Sequence, residues 1–390
     1  MQNNFFEEQL NSLEKKGFLR KIRVRNSAQD KKISIDGKFV LNFSSNDYLG
    51  LCSDKRLKEA SIKATRLFGT GTGASRLISG THELHKKLEE KLACFKNTQS
   101  ALVFNSGYQV NVGIISSLVG KDDLVLLDRL NHASIIDGII LSRAKFIRYP
   151  HNDTKALKKI LEENKNFKRK LIVTDTVFSM DGDIAKLNEI VQLKEKYNCL
   201  LMVDEAHATG VFGKNGAGLV EHLGLEGKID LEMGTLSKAF GSFGAYVCAS
   251  KILVEYLINK CRAFIYTTSL PYGVIASSIK AIEIIEKDKK LRNNLWKNTD
   301  YIREKLKNIG FNTLNAQTPI IPILTGDSNL TIKFSNMLFK EGIFACGIRP
   351  PTVPMGEARL RLTISAKFTK KDLDFAIEKI TKVAKILKII

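Results

Sequence analysis

Apolar positions along this chain fall into two textures. Between residues 101 and 249, short runs that are apolar on consecutive positions recur: A-L-V-F-N (101–105), D-L-V-L-L-D (123–128), K-F-I-R-Y (145–149), K-L-I-V-T-D (170–175), C-L-L-M-V-D (199–204) and A-Y-V-C-A (245–249). Stretches with apolar residues at helical spacing separate them. Strands that lack polar alternation are buried on both faces, as when helices cover both sides of a parallel sheet. The pattern therefore predicts an α/β fold with a mainly parallel sheet. Ahead of it, the first ~20 residues read as a helix. K-I-S-I-D-G-K-F-V-L-N-F (32–43) reads as two alternating runs that meet at Asp36-Gly37, a hairpin signal.

Past Leu270-Pro271 the texture changes. A long helical stretch over 274–308 leads into I-I-P-I-L (320–324), a helix near 329–341, I-F-A-C-G (343–347), R-L-R-L-T-I-S (359–365) and a last helix that runs to Ile390. This predicts a smaller α+β domain with the long helix as the bridge. The expected organisation is an N-terminal helix and hairpin over 1–45, a large domain over 46–272, and the bridging helix with the small domain over 273–390. A chain of 390 residues exceeds the usual single-core size, which agrees with two domains.

Composition narrows the class. No apolar run reaches the ~18 residues of a membrane span, and residues 1–10 hold two Glu and no basic cluster, so a cytoplasmic protein is expected. Six cysteines without a C-x-x-C pair read as reduced, mostly core thiols rather than a zinc site or disulfide framework. Sixty-one Lys and Arg against 41 Asp and Glu give a net charge of +20. Such a field suits nucleic acid, an acidic protein or a phosphorylated thioester equally, and the basic residues form no tail.

Ligands of open α/β sheets sit beyond the carboxyl ends of the strands, so the residues that follow each run carry the candidate chemistry. They are Ser106-Gly107-Tyr108 opening a helix, Asn131-His132, the segment from Val177 through Ser179 to Gly182, Asp204-Glu205-Ala206-His207, and Lys238 within G-T-L-S-K-A-F-G-S (234–242). A strand-end carboxylate such as Asp204 can keep a heteroaromatic ring nitrogen protonated, which makes that ring an electron sink. His207 can donate to a ring oxygen, and His132 can stack on the ring. Backbone N–H groups at Gly107 and Tyr108, with Thr235 and Ser237 hydroxyls, suit a phosphate. A lysine among small residues leaves space for a planar cofactor aldehyde and can form a Schiff base with it. Taken singly, each of these is equally a turn, capping or surface residue.

Together the residues carry a resemblance. V-D-E-A-H-A-T-G-V-F-G (203–213), T-L-S-K-A-F-G (235–241), N-F-S-S-N-D-Y-L-G-L (42–51) and V-F-S-M-D-G-D (177–183) resemble, in order, the α-oxoamine synthase family of fold type I pyridoxal-phosphate enzymes. The resemblance implies a seven-stranded, mainly parallel sheet in the large domain and a homodimer. It implies that Lys238 carries pyridoxal phosphate, Asp204 pairs with the ring nitrogen, His207 meets the phenolic oxygen and His132 stacks on the ring. It also implies cofactor contacts at Gly107, Tyr108, Ser179 and Thr235. Arg361 would bind an amino-acid carboxylate, with Asn46, Arg20 and Thr352 as further substrate contacts and Arg23 and Arg25 as rivals to Arg20.

Within the family, I-R-P-P-T-V-P (348–354) most resembles the branch that condenses L-alanine with a pimeloyl thioester, of coenzyme A or acyl carrier protein, in biotin synthesis. Glycine with acetyl-CoA is the alternative. Tyr272 after Pro271, and A-K-F-T (366–369) without a histidine, depart from the usual pattern. D-E-A-H (204–207) also spells a helicase box, but each Gly-Lys, at 37, 120, 213 and 227, is followed by Phe, Asp, Asn or Ile, so the nucleotide cradle is missing and no nucleic-acid partner is expected.

Overall fold

The computed structural model describes residues 2–390; Met1, at the head of the segment expected over 1–45, lies outside the described residues. The strands in chain order are β1 Lys32–Ile35, β2 Lys38–Asn42, β3 Ser100–Phe104, β4 Leu124–Asp128, β5 Lys145–Tyr149, β6 Lys170–Asp175, β7 Leu200–Asp204, β8 Leu231–Thr235, β9 Ala245–Ala249, β10 Ile320–Gly326, β11 Ile343–Phe344, β12 Cys346–Ile348 and β13 Ala358–Thr363. The chain divides into two compact units. The larger comprises Leu51–Ser179 and Ile184–Arg292; the smaller comprises the chain up to Gly50, Met180–Asp183 and Asn293–Ile390.

In the larger unit β3 to β9 form a seven-stranded sheet in the order β3-β9-β8-β7-β6-β4-β5. Only β9 runs antiparallel, against both β3 and β8. Consecutive apolar residues serve two cores. Val125, Leu127, Val173 and Met202 face one layer with the helices Gly107–Leu118 and Ala133–Ser142. Leu124, Leu126, Ile172 and Leu201 face the other with Thr154–Glu163 and Leu187–Lys196. Each such side chain removed from water contributes roughly 1.5–3 kcal/mol, so both faces favour the same register. That register sets Asp175 of β6 opposite Asp204 of β7, and Asp204 opposite Met233 of β8.

The strand β8, L-E-M-G-T, escapes the apolar pattern because a buried charge and a glycine interrupt it. Glu232 is only 2% exposed, and its Oε2 lies 3.0 Å from Lys96 Nζ. Lys96 also pairs with Glu205 and donates to Ala217 O at 2.6 Å. Burial opposes the lysine charge, but Glu205 and Glu232 together hold its pKa well above the usual value. Glu232 itself is pushed up to about 7 by burial, against the pull of Lys96. Gly234 is required because a Cβ there would run into the Tyr246 ring on β9.

The smaller unit holds two three-stranded sheets, β1-β2-β11 and β10-β13-β12. The β1–β2 turn falls at Asp36 and Gly37, both at positive φ (50° and 75°), the geometry that a two-residue hairpin needs. The helical stretch expected over 274–308 is two helices, Tyr272–Lys287 and Lys289–Ile309, parted at Asp288. The first belongs wholly to the larger unit and most of the second to the smaller. Met180–Asp183 joins the smaller unit because Arg359, 1% exposed, donates to Asp181 Oδ1 at 2.7 Å and Gln317 N donates to Gly182 O at 2.8 Å. Of the six cysteines, Cys199, Cys248 and Cys261 are buried, Cys52 and Cys346 half-buried and Cys94 exposed. Among the described residues no helix is long and apolar enough to cross a membrane.

Two stability measurements check the buried charge cluster. Lys96→Ala strands two carboxylates and should cost about 3–5 kcal/mol in urea unfolding. The folded chain holds the Glu232 proton more tightly than the unfolded chain, so that group's stabilisation is full below the ordinary glutamate value and is lost as pH rises through about 7. Glu232→Gln should therefore gain stability relative to the natural chain between about pH 5 and about pH 8.

Candidate active site

The carboxyl ends of β6, β7 and β8, with the starts of two helices, gather the larger unit's predicted residues. Asp204 closes β7 and is buried. Its Oδ1 accepts from Ala206 N and its Oδ2 from Asn111 Nδ2, both at 2.9 Å. Its carbonyl accepts from Thr176 N at 2.9 Å, so the residue is fixed at both ends. Beyond it the chain turns, and His207 brings its Nε2 to 3.0 Å from Lys238 Nζ. The turn is pinned from behind, because Glu205 takes Lys96 and also Val220 N at 3.0 Å.

Lys238 is half-buried rather than a free surface lysine. Its loop is closed by Leu236 N to Gly244 O and Gly241 N to Lys238 O, each at 2.9 Å. Gly241, at φ 62°, lies where any Cβ would meet the backbone of Leu51 and Cys52. The Thr235 and Ser237 hydroxyls are 2.6 Å apart, and Thr235 Oγ1 also donates to Gly244 O at 3.0 Å.

His132 caps the helix Ala133–Ser142. Ser134 N donates to His132 Nδ1 at 3.3 Å, and Ser134 Oγ lies 2.8 Å from the same nitrogen. Burial, aided by the Lys238 charge and opposed by Asp204 and Asp137, lowers the His132 pKa, which favours a neutral, flat imidazole. Ser106 caps the helix Gly107–Leu118 by accepting Gln109 N at 3.2 Å. Gly107 N and Tyr108 N stand in its first turn, where no intrahelical acceptor exists. The Tyr108 hydroxyl is committed to Asp137, which leaves its backbone N–H as its means of binding an anion. Ser179 lies half-buried in the loop after β6.

The smaller unit gathers the remaining predicted residues into two pairs. Arg361 on β13 is buried; its Nη1 and Nη2 each donate to Asn46 Oδ1 at 3.2 Å, and Nη1 donates to Thr363 Oγ1 at 2.9 Å. Arg20 Nη2 donates to Thr352 Oγ1 at 3.3 Å. Its rivals go elsewhere: Arg23 to Asn336 and over the Phe339 ring, Arg25 to Ser27 O. Tyr48, fully buried beside Arg361, is pushed up to about 12 by burial.

Sequence reasoning passed over Asn111, Asp175 and Arg359. Asn111 stands in mid-helix, where only contact with Asp204 and with Ser134 Oγ, at 2.9 Å each, reveals its part. Asp175 is buried and accepts from His132 N at 2.8 Å. The alternation R-L-R-L that places Arg359 and Arg361 on one face of β13 was the available signal for Arg359.

The family model for aminotransferase class I and II matches residues 38–380. The chain belongs to that family. An 8-amino-7-oxononanoate synthase of Citrifermentans bemidjiense is 51% identical over 387 residues, with 99% of each chain covered. Among solved structures, a variant of serine palmitoyltransferase from S. paucimobilis, with a bound PLP–myriocin adduct, superposes with a TM-score of 0.94 at 32% identity over 99% of this chain and 98% of that one. The 8-amino-7-oxononanoate synthase of Francisella tularensis superposes with a TM-score of 0.79 at 32% identity over 90% and 99%. This aminotransferase-family chain thus matches relatives along nearly its whole length.

The imidazole of His132 should titrate below the ordinary histidine value of about 6.5 in an NMR pH series. Lys238→Met, which removes the adjacent positive charge, should move that titration upward.

Proposed function

We propose that the chain condenses L-alanine with a pimeloyl thioester to give 8-amino-7-oxononanoate, CO2 and the free thiol carrier, with pyridoxal phosphate as cofactor. The observation that carries this reading is one constellation: Lys238 Nζ 3.0 Å from His207 Nε2, in the same unit as the buried, doubly anchored Asp204. These residues fit pyridoxal phosphate. An amine stands ready for the aldehyde, a carboxylate for the ring nitrogen, an imidazole for the phenolic oxygen, and first-turn N–H groups with Thr235 and Ser237 hydroxyls for the phosphate. When bound, the cofactor supplies an electron sink for the alanine Cα.

The protein's part is to position charge and protons. Lys238 would hold the cofactor aldehyde, and its amine would remove the Cα proton of the amino acid and return one at the end. Asp204 supplies the fixed negative charge that keeps the sink effective, and His207 and Ser179 orient the ring by its edge. The imidazole of His132 would be the residue to stack on the ring. Arg361, anchored through Nη1 and Nη2 on Asn46 Oδ1, is assigned to the amino-acid carboxylate, which a planar guanidinium suits better than a lysine. Arg20 and Thr352 are assigned to the acyl substrate. Across the reaction the Cα–H, Cα–carboxylate and thioester C–S bonds break, a C–C bond forms, CO2 and thiol leave, and Cα regains a proton.

The full-length 51% identity to an 8-amino-7-oxononanoate synthase supports the choice of L-alanine and pimeloyl thioester. The choice rests on sequence rather than on fold, since a serine palmitoyltransferase superposes with a TM-score of 0.94 and an 8-amino-7-oxononanoate synthase with one of 0.79. The net charge of +20 suits an anionic carrier, coenzyme A or acyl carrier protein. We assign the enzyme to the cytoplasm and to a homodimer, in keeping with the family.

Lys238→Ala should abolish turnover and the visible cofactor band together; a variant with activity near that of the natural chain would refute the assignment. Alanine with pimeloyl thioester should release CO2 faster than glycine with acetyl-CoA, and the reverse preference would favour the alternative. If the basic surface serves the carrier, kcat/KM should fall steeply with added salt, whereas a flat profile would deny it that role.

A further inference from the structure

Asp175 and Asp204 end adjacent parallel strands in register, and both are buried. Two like charges so placed repel strongly, so their environments decide which one is ionised. The surrounding donors are divided unequally. Asp204 receives two, from Ala206 N and Asn111 Nδ2. Asp128, at the end of the next strand β4, takes Leu130 N and Asn152 N, each at 2.8 Å, and His151 Nδ1 at 2.9 Å. Among the described residues the Asp175 carboxyl receives one, His132 N at 2.8 Å. The charged groups that act on Asp175 are Asp204 and Asp128, which disfavour its ionisation, and Lys238, which favours it; burial outweighs them all and raises its pKa well above the carboxylate range.

We propose that Asp175 is a proton-bearing positioning residue: it holds the His132 backbone through one oxygen and stays neutral, so that Asp204 alone places negative charge at the cofactor ring. This deepens the proposed function and rests on it for the role of Asp204, although the protonation of Asp175 does not. A second anion beside Asp204 would share the positive charge of Lys238 and of the ring. A neutral acid keeps the hydrogen bond to His132 without that competition.

Two variants of the full chain and two readouts test this. Asn in place of Asp175 preserves an oxygen for His132 N and cannot ionise; Ala removes the acceptor. In urea unfolding without added cofactor, Asp175→Asn should gain stability relative to the natural chain as pH rises from about 5 to about 8, because a carboxyl with a raised folded value loses its stabilisation over that rise. A constant difference, or one of the opposite sign, overturns the proposal whatever the cofactor. In the holoenzyme Asp175→Ala should lower kcat about tenfold, and Asp175→Asn should restore most of it, while Asp204→Asn loses far more. If Asp175→Asn falls as far as Asp204→Asn, Asp175 works as an anion and the proposal fails. If Asp204→Asn stays active while the unfolding result holds, the cofactor reading fails and the protonation of Asp175 stands.

Discussion

The site depends on one constraint, the placement of a carboxylate at the end of a fully buried strand. A carboxylate withdrawn from water is costly unless it is hydrogen-bonded and paired. At Asp204 the fold meets that cost with Ala206 N, Asn111 Nδ2 and the register that locks its carbonyl to Thr176. Because β6 and β7 are held in register by apolar residues on both faces, and β8 by Leu231 and Met233 on one, their ends deliver Asp175, Asp204 and Thr235 to one edge of the sheet. The lysine loop then follows β8 directly, with Gly241 allowing its close approach to Leu51 and Cys52.

A second charge cluster supports the first from behind. Lys96, Glu205 and Glu232 are all nearly inaccessible, and Glu205 follows Asp204 in the chain. Tying Glu205 to Lys96 and Val220 N fixes the turn that aims His207 at Lys238. Buried ion pairs are a poor source of stability, but they specify geometry when every partner is present. Here the geometry specified is that of the turn between two candidate site residues, Asp204 and His207.

Much of this was legible in the sequence. Six of the seven large-sheet strands announce themselves as consecutive apolar runs, and the motifs around Lys238, Asp204 and His207 stand at strand ends as an α/β sheet requires. β8 was illegible because Glu232 and Gly234 break its pattern, and their reasons, Lys96 and Tyr246, are remote in sequence. The break at Asp288 was hidden by helical spacing on both sides of it. The excursion of Met180–Asp183 was hidden likewise, since its anchor, Arg359, lies far along the chain. Asn111 and Asp175 were missed on the same principle: a polar residue's role depends on its neighbours in space. That Asn46 Oδ1 takes both Nη groups of Arg361 could not be read from residues so far apart in the sequence.

The most direct measurement is to reduce the cofactor-loaded enzyme with borohydride, digest it and locate the pyridoxyl-bearing residue by mass spectrometry. The account predicts a single modified side chain, Lys238, within the peptide spanning 234–242. A pyridoxyl group on any other lysine, with residue 238 unmodified, would contradict it.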